Sequence, residues 1–142
     1  MFLGQFVHNV DEKGRLTIPA RFRDLLDGEA YITAGFEKNL LVLTEPRFNK
    51  MKERLNEMSL TDLEARQLKR LLFSNAAQLE FDKAGRILLP AYLREAIGVQ
   101  TEAILVGVGD YFEIWSPENW KEQENVLHDT QANATRFASL DL

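Results

Sequence analysis

The sequence contains no cysteine among its 142 residues, and this absence removes several chemistries at once. Thiolate nucleophiles, iron–sulfur clusters, cysteine-ligated zinc sites and disulfides are all excluded. A domain of this length can bury roughly two-thirds of its unfolded surface, so it needs neither a metal nor a disulfide for stability. The lack of cysteine also fits a reducing, cytoplasmic compartment.

Long hydrophobic runs are missing as well. The longest apolar stretches, residues 40–43 and 103–108, are far shorter than the roughly 20 residues that a membrane helix needs. The N-terminal region has no basic start and no continuous apolar stretch of about 7 to 15 residues, which argues against a signal peptide. We therefore expect a soluble protein with no membrane partner.

The chain has no excess of positive charge, since 17 Lys and Arg face 22 Asp and Glu for a net charge of −5. The charge is unevenly distributed. Residues 1–94 carry a net +2, whereas residues 95–142 carry a net −7. This excludes a uniformly basic nucleic-acid binder but leaves room for a basic face in the first two-thirds of the chain.

Motifs typical of enzymes are also lacking. His8 and His128 lie 120 residues apart with no partner at metal-ligand spacing. The Gly-Val-Gly sequence at 107–109 lies between two predicted strands, which favours a hairpin turn over a phosphate loop. We predict that the protein is not an enzyme and has no metal, cofactor or small-molecule substrate.

What the sequence does contain is an internal repeat. Residues 10–23 recur as residues 81–94, with six identical positions. The match continues where residues 41–44 align with 113–116 and where Phe48 aligns with Trp120. We predict a single domain over 1–142, built from repeats at approximately 5–58 and 77–128.

Each repeat begins with two short strands joined by an Asp-x-x-Gly turn, which predicts a β-hairpin. A proline suited to the first helical position, Pro19 or Pro90, begins a short helix, and a second, glycine-linked hairpin follows the helix. Thr44 and Ser116 are predicted to cap a helix of about a dozen residues at the end of each repeat. The predicted ranges are 5–10, 15–18, 20–26, 30–34 and 40–44 in the first repeat, and 78–81, 86–89, 91–97, 103–108 and 111–115 in the second.

Neither repeat has enough strands to enclose a core alone. We therefore predict an α+β fold in which the two repeats interleave their strands into one small barrel-like sheet with helices outside. A capping box from Thr61 to Glu64 predicts that an amphipathic helix over 62–76 links the repeats. Residues 130–142 show little periodicity and are predicted to be a loosely held C-terminal tail.

The repeated Asp-x-x-Gly-Arg motif admits two interpretations. In the structural one, Asp11 and Asp82 with the glycines form turns, and each arginine pairs with the aspartate of its own turn. In the functional one, the turns present cations to a polyanion such as DNA, where guanidinium can grip phosphate or read a guanine edge. The two interpretations are compatible.

The candidate DNA-binding residues follow from the functional interpretation. They are Lys13, Gly14, Arg15, Arg21 and Arg23 in the first repeat and Lys83 and Arg86 in the second, with Asp11, Asp82 and Gly85 as turn-forming residues. The second repeat has Ala84 and Tyr92 where the first has Lys13 and Arg21, while Arg94 matches Arg23. We therefore expect the first turn to make the stronger contact.

These residues resemble a known family. The start Met-Phe-x-Gly, the doubled Asp-x-x-Gly-Arg-x-x-x-Pro and the Phe-Glu-Ile-Trp at 112–115 are similar to those of the MraZ family of bacterial transcriptional regulators, related in fold to the AbrB and SpoVT swapped-hairpin proteins. The resemblance covers essentially the whole chain and implies a double-split β-barrel of two tandem AbrB-like units. It also implies a ring-shaped homo-oligomer.

The function implied by the resemblance is repression of a division and cell-wall gene cluster that includes the protein's own operon. Binding to short G-rich direct repeats in the promoter and association with the nucleoid are also implied. By position, Arg15 and Arg86 would be the motif arginines and Asp11 and Asp82 their turn partners.

An alternative function is an antitoxin-like protein-interaction module of the same swapped-hairpin class. Residues 130–142 could then dock a polypeptide partner, and the cations of the turns could grip an acidic protein. An antitoxin of this sort more often carries one copy of the unit than two. The sequence leaves both functions open.

Overall fold

The computed structural model describes all residues from Met1 to Leu142 and has a mixed α+β architecture, as predicted. None of its helices has the length and apolar character needed to cross a bilayer. The strands are β1 (Gln5–Asn9), β2 (Arg15–Thr17), β3 (Ala30–Ala34), β4 (Leu40–Thr44), β5 (Ala77–Leu79), β6 (Arg86–Leu88), β7 (Glu102–Gly107) and β8 (Phe112–Trp115). The helices are α1 (Ala20–Leu26), α2 (Glu45–Glu57), α3 (Leu63–Ser74), α4 (Ala91–Ile97), α5 (Pro117–Leu127) and α6 (Thr130–Arg136), followed by a 3₁₀ turn at Ala138–Leu140.

Local sequence signals place the helix starts of both repeats. α1 and α4 begin directly after Pro19 and Pro90, which are the N-cap residues rather than the first helical residues, since their ψ angles are 140°. The Thr44 hydroxyl accepts a hydrogen bond from the backbone N–H of Arg47, and Ser116 does the same at α5. Both predicted caps are confirmed.

The start of α3 differs from the prediction. Its N-cap is Asp62, whose carboxylate accepts hydrogen bonds from the backbone N–H groups of Glu64 and Ala65. Thr61 instead pairs with the Ser59 hydroxyl at 2.9 Å, so the predicted capping box was wrong. A carboxylate can accept from two N–H groups and also complements the positive end of the helix dipole.

The C-terminal segment is more regular than its sequence pattern indicated. Asp129 accepts a hydrogen bond from the backbone N–H of Ala132 and so caps α6. The prediction for residues 130–142 was a loosely held tail and included no helix. The side chain of Arg136 donates to the carbonyl of Val126 at 2.9 Å. No residue of α6 is buried, so local hydrogen bonds rather than core packing hold this helix.

The main sheet interleaves strands of the two repeats. The main sheet is antiparallel with the order β1-β7-β8-β4-β3-β5, so β1, β3 and β4 of the first repeat pair with β7, β5 and β8 of the second. This sheet is open, with β1 and β5 at its edges. β2 and β6 form a separate two-stranded antiparallel ribbon.

This pairing corrects the first predicted hairpin of each repeat. β1 and β2 share only an isolated bridge between Val10 and Leu16, and β5 pairs with β3 rather than with β6. Leu16 and Ile87, which lie opposite each other in the ribbon, are 0% and 1% exposed. Pairing across the repeats buries both side chains, and this favours it over local hairpins. The predicted hairpins β3–β4 and β7–β8 are confirmed.

One hydrophobic core contains residues from both repeats. Phe22 of α1 is fully buried, and its ring centroid lies 5.2 Å from those of Phe2 and Phe6 and 4.8 Å from that of Phe112. The inward side chains of the β2–β6 ribbon belong to the same cluster. The ribbon and its two turns are therefore supported by the core of the whole domain.

Candidate nucleic-acid interface

Both Asp-x-x-Gly motifs form tight turns with the same geometry. Asp11 Oδ1 accepts hydrogen bonds from the backbone N–H groups of Lys13 at 3.0 Å and Arg15 at 2.8 Å. Asp82 Oδ1 accepts the equivalent pair, both at 2.9 Å. Gly14 and Gly85 have φ angles of 85° and 76°, which other residues rarely adopt. The aspartates and glycines thus shape the two turns in this structure.

The motif arginines are held by the aspartates of their own turns. Arg15 Nε donates to Asp11 Oδ2 at 2.6 Å, and Arg86 Nε donates to Asp82 Oδ2 at 2.8 Å. Arg86 Nη1 also lies 3.7 Å from Asp11 Oδ2, which links the two turns. The arginine side chains are 37% and 32% exposed, so they are less solvent-facing than a free hairpin tip would make them.

The ribbon register brings these two arginines to one surface. Arg15 lies opposite Leu88 and Thr17 lies opposite Arg86, while the alternating residues Leu16 and Ile87 point into the core. Residues directly opposite in a sheet project from the same face. The outer face of the ribbon therefore carries both motif arginines, one from each repeat.

The arginines at the ends of the two repeated segments are exchanged between the turns. Arg23 of α1 lies against Gly85 in the turn of the second repeat, and Arg94 of α4 lies against Gly14 in the turn of the first. Each exchange is anchored by the backbone: the Ile18 N–H donates to the Gly85 carbonyl at 3.1 Å, and the Leu89 N–H donates to the Gly14 carbonyl at 2.9 Å.

This exchange changes the composition of each predicted cation group. The sequence placed Arg23 with Lys13 and Arg15, but in the structure the first turn has Lys13, Arg15 and Arg94. The second turn has Lys83, Arg86 and Arg23. The two turns therefore have three cations each, and the number of cations no longer favours the first. Arg94 was missing from the DNA-binding residues predicted from the sequence. Because it aligns with Arg23 in the repeat, the sequence could have indicated it.

The remaining predicted cations are exposed. Lys13 and Lys83 lie on the solvent side of their turns, and neither forms an ion pair. Arg21 is exposed on α1, with its guanidinium carbon 5.9 Å from the centre of the Phe6 ring. The structure contains no group of three or more His, Asp or Glu side chains placed to hold a metal ion.

The turn aspartates are stabilised in their charged form. The pKa of Asp11 lies below its ordinary value of 3.8, mainly because the backbone N–H of Arg15 donates to the carboxylate, with the Arg15 guanidinium adding to the effect. The pKa of Asp82 is lowered in the same way by Arg86. Both carboxylates therefore stay ionised to a lower pH than an ordinary aspartate and keep the arginines in place.

Replacing Asp11 by asparagine is expected to reduce the acid sensitivity of folding. Since the pKa of Asp11 is lower in the folded state, its contribution to stability is complete above the unfolded pKa and is lost as the pH falls through the folded pKa. Urea titrations between about pH 5 and pH 2 should show a shallower decline in the free energy of unfolding for Asp11→Asn than for wild type. Asp24→Asn, at an exposed aspartate with no ion pair, is the control. Identical pH profiles for wild type and Asp11→Asn would contradict the prediction.

Comparison with known proteins agrees with the two-repeat organisation. The family model described as "MraZ protein, putative antitoxin-like" matches the chain twice, at residues 1–71 and 72–140. The protein called transcriptional regulator MraZ of Thermomicrobium roseum is 46% identical over 141 residues, which cover 99% of each chain.

Two further proteins called transcriptional regulator MraZ show similar coverage. That of Roseiflexus sp. is 44% identical over 97% of this chain and 94% of its own length. That of Dictyoglomus thermophilum is 39% identical over 99% and 98%. Transcriptional regulators are not a class of enzyme, in agreement with the prediction from the sequence. The doubled match of the family model and the nearly full-length identity together show that the chain belongs to the MraZ family.

Proposed function

We propose that this protein is a sequence-specific DNA-binding transcriptional regulator that reads DNA with the two turns and the outer face of the β2–β6 ribbon. The observation that carries the proposal is the placement of Arg15 and Arg86 on one face of a two-stranded ribbon, each held by its own turn aspartate. The relatives called transcriptional regulator MraZ support the same class of function.

The geometry suits recognition of guanine. A two-stranded β-ribbon fits the major groove of B-DNA, where an arginine can donate two hydrogen bonds to O6 and N7 of guanine. In both motif arginines the hydrogen bond to the turn aspartate uses Nε. This leaves both terminal nitrogens of Arg15 for a ligand, whereas Nη1 of Arg86 lies 3.7 Å from Asp11 Oδ2 and its Nη2 is left. Because the side chain is already oriented, less rotamer entropy is lost on binding. A preference for G-rich sites follows.

One pair of turns offers few base contacts, and each good contact discriminates by only about 1 to 3 kcal/mol. We propose that several copies, assembled as a ring-shaped homo-oligomer, bind successive direct repeats spaced by about one helical turn of roughly 10 base pairs. In this proposal the sheet and ribbon together form the double-split barrel. The target is the promoter of the protein's own division and cell-wall operon, which the protein represses as a cytoplasmic, nucleoid-associated regulator.

The distribution of charge is compatible with this role. Residues 95–142 carry a net −7, whereas the turns and their cations lie within the net-positive first 94 residues. The acidic region keeps the rest of the surface away from the phosphate backbone, which limits binding to the interface at the turns.

A fluorescence anisotropy titration tests the proposal. The probe is a labelled duplex from upstream of the protein's own gene, compared with a shuffled duplex of equal length over a series of salt concentrations. Tighter binding to the upstream duplex, weakening linearly in log K against log salt concentration, is the expected result. Equal binding to both duplexes, or none at low salt, would overturn the proposal.

Arg86→Ala measures the contribution of the second turn. The sequence alone favoured a smaller loss than for Arg15→Ala, but three cations at each turn and a shared ribbon face lead us to expect losses of similar size. The same titration gives both values. A loss confined to Arg15→Ala would show that only the first turn reads DNA.

An antitoxin-like interaction module remains the alternative function, because the C-terminal segment exposes apolar side chains. Phe137 is 48% exposed and Leu140 is 68% exposed. Failure to bind DNA, together with stoichiometric binding of a purified polypeptide that is lost on truncation after Asp129, would favour this alternative.

A further inference from the structure

Arg94 is held at the first turn by the backbone of a single residue. Its Nε donates to the Leu89 carbonyl at 3.1 Å, while the Leu89 N–H donates to the Gly14 carbonyl at 2.9 Å. Leu89 is fully buried and therefore a rigid support. One residue of the second repeat thus fixes both the turn of the first repeat and the guanidinium that lies against it.

The contact between Arg94 and Gly14 is close. A Cβ atom placed on Gly14 would lie 2.7 Å from both Nε and Cζ of Arg94. Gly14 is buried, although its neighbours Glu12 and Lys13 are exposed. Only a residue without a side chain allows the guanidinium to approach the turn this closely.

The charge of this guanidinium is not used within the protein. Arg94 forms no ion pair, and its terminal nitrogens Nη1 and Nη2 have no hydrogen-bond acceptor in the structure. The side chain is half-buried and lies at the same turn as the exposed Lys13. Partly buried, unpaired N–H donors next to a second cation favour an anionic ligand.

Arg23 stands in the equivalent place at the second turn. It lies against Gly85 but makes no side-chain hydrogen bond, whereas Arg94 is held by Leu89. Lys83 is the exposed cation of this turn. The second turn therefore also combines one lysine with one exchanged arginine, but Lys83 stands at the position of Glu12 rather than of Lys13, and the guanidinium is less constrained.

We infer that each turn binds a DNA backbone phosphate through cations of both repeats: Lys13 with Arg94 at the first turn, and Lys83 with Arg23 at the second. This inference rests on the proposed DNA-binding function and adds Arg94 to the interface. Neither repeat contains a complete phosphate site, because each contributes its arginine to the turn of the other. Because this chain has two repeats, both sites are completed within one molecule.

Phosphate-by-phosphate substitution of the upstream duplex tests the exchange. Each phosphate is replaced singly by an uncharged methylphosphonate, and affinity is measured for the full-length wild type and for Lys13→Ala, Arg94→Gln, Lys83→Ala and Arg23→Gln. A variant that has lost one of the two contacts to a phosphate becomes less sensitive to neutralisation of that phosphate, because only the other cation still binds it. We expect Lys13→Ala and Arg94→Gln to lose part of their sensitivity at the same phosphate, and Lys83→Ala and Arg23→Gln at another.

Each arginine variant is also expected to lower the slope of log K against log salt concentration by about 0.9 per lost contact. Glutamine keeps part of the methylene stem, and in Arg94→Gln its amide N–H can donate to the Leu89 carbonyl in place of Nε. The fold should therefore persist in both variants, and thermal unfolding checks this. Arg94→Lys should restore the slope. Arg54→Gln, an exposed arginine on α2 without an ion pair, is the control for loss of charge.

The outcomes separate this inference from the proposed function. If wild type binds the upstream duplex but Arg23→Gln shares its phosphate with Lys13→Ala, or Arg94→Gln leaves the profile unchanged, the exchange is wrong while DNA binding stands. If wild type binds no duplex at any salt concentration, the proposed function fails and this inference fails with it.

Discussion

Replacing Arg15 by alanine is expected to abolish sequence-specific DNA binding while leaving the fold intact. The Arg15 side chain lies on the outer face of the ribbon and makes its hydrogen bond only to Asp11, which keeps its backbone hydrogen bonds in the variant. A bidentate contact to guanine is worth about 1 to 3 kcal/mol, or roughly 5- to 150-fold in affinity. Repetition of the contact in an oligomer multiplies this loss.

Anisotropy titration on the upstream and shuffled duplexes measures the effect, with circular dichroism and sedimentation to check fold and assembly. Arg15→Lys is the matched control, since it keeps the charge but not the planar fork. It should retain salt-dependent binding to both duplexes and lose most of the difference between them. If Arg15→Ala bound the upstream duplex as tightly as wild type does, the proposal that Arg15 reads DNA would be refuted.

Replacing Phe22 by alanine is expected to have the largest effect on stability. Phe22 is fully buried and packs against the rings of Phe2, Phe6 and Phe112. Truncation of such a side chain loses its burial and leaves a cavity, at a cost of about 3 to 5 kcal/mol. Urea denaturation followed by circular dichroism should show a lower midpoint at an unchanged slope.

Phe36→Ala is the matched control for this truncation, because Phe36 is 67% exposed. Its free energy of unfolding should change by no more than about 0.5 kcal/mol. Leu93 is the repeat equivalent of Phe22 and is 1% exposed. Replacing it by alanine should lower the free energy of unfolding by about 2 to 5 kcal/mol. Equal stability of Phe22→Ala and wild type would mean that the core lies elsewhere.

Local interactions explain which parts of this fold were predictable. Proline restricts its own φ angle, so the positions of Pro19 and Pro90 in the sequence were enough to locate the starts of α1 and α4 to within one residue. The Asp11 turn depends on groups at most four residues apart, and the sequence alone indicated its hydrogen bonds. The start of α3 was predicted wrongly because Thr61 and Asp62 are adjacent caps of similar quality.

The sequence by itself determined the tandem repeat, the α+β class, most element positions and the conformation of both turns. Only the tertiary structure decided that β2 pairs with β6, that Arg15 and Arg86 share a face, and that Arg23 and Arg94 are exchanged between the turns. The alternation of apolar residues in a strand shows which side chains face the core but does not specify the partner strand. That choice depends on the burial of Leu16 against Ile87, which are 71 residues apart in the chain. The motif residues are therefore evident in the sequence, whereas the composition of the site at each turn depends on long-range packing.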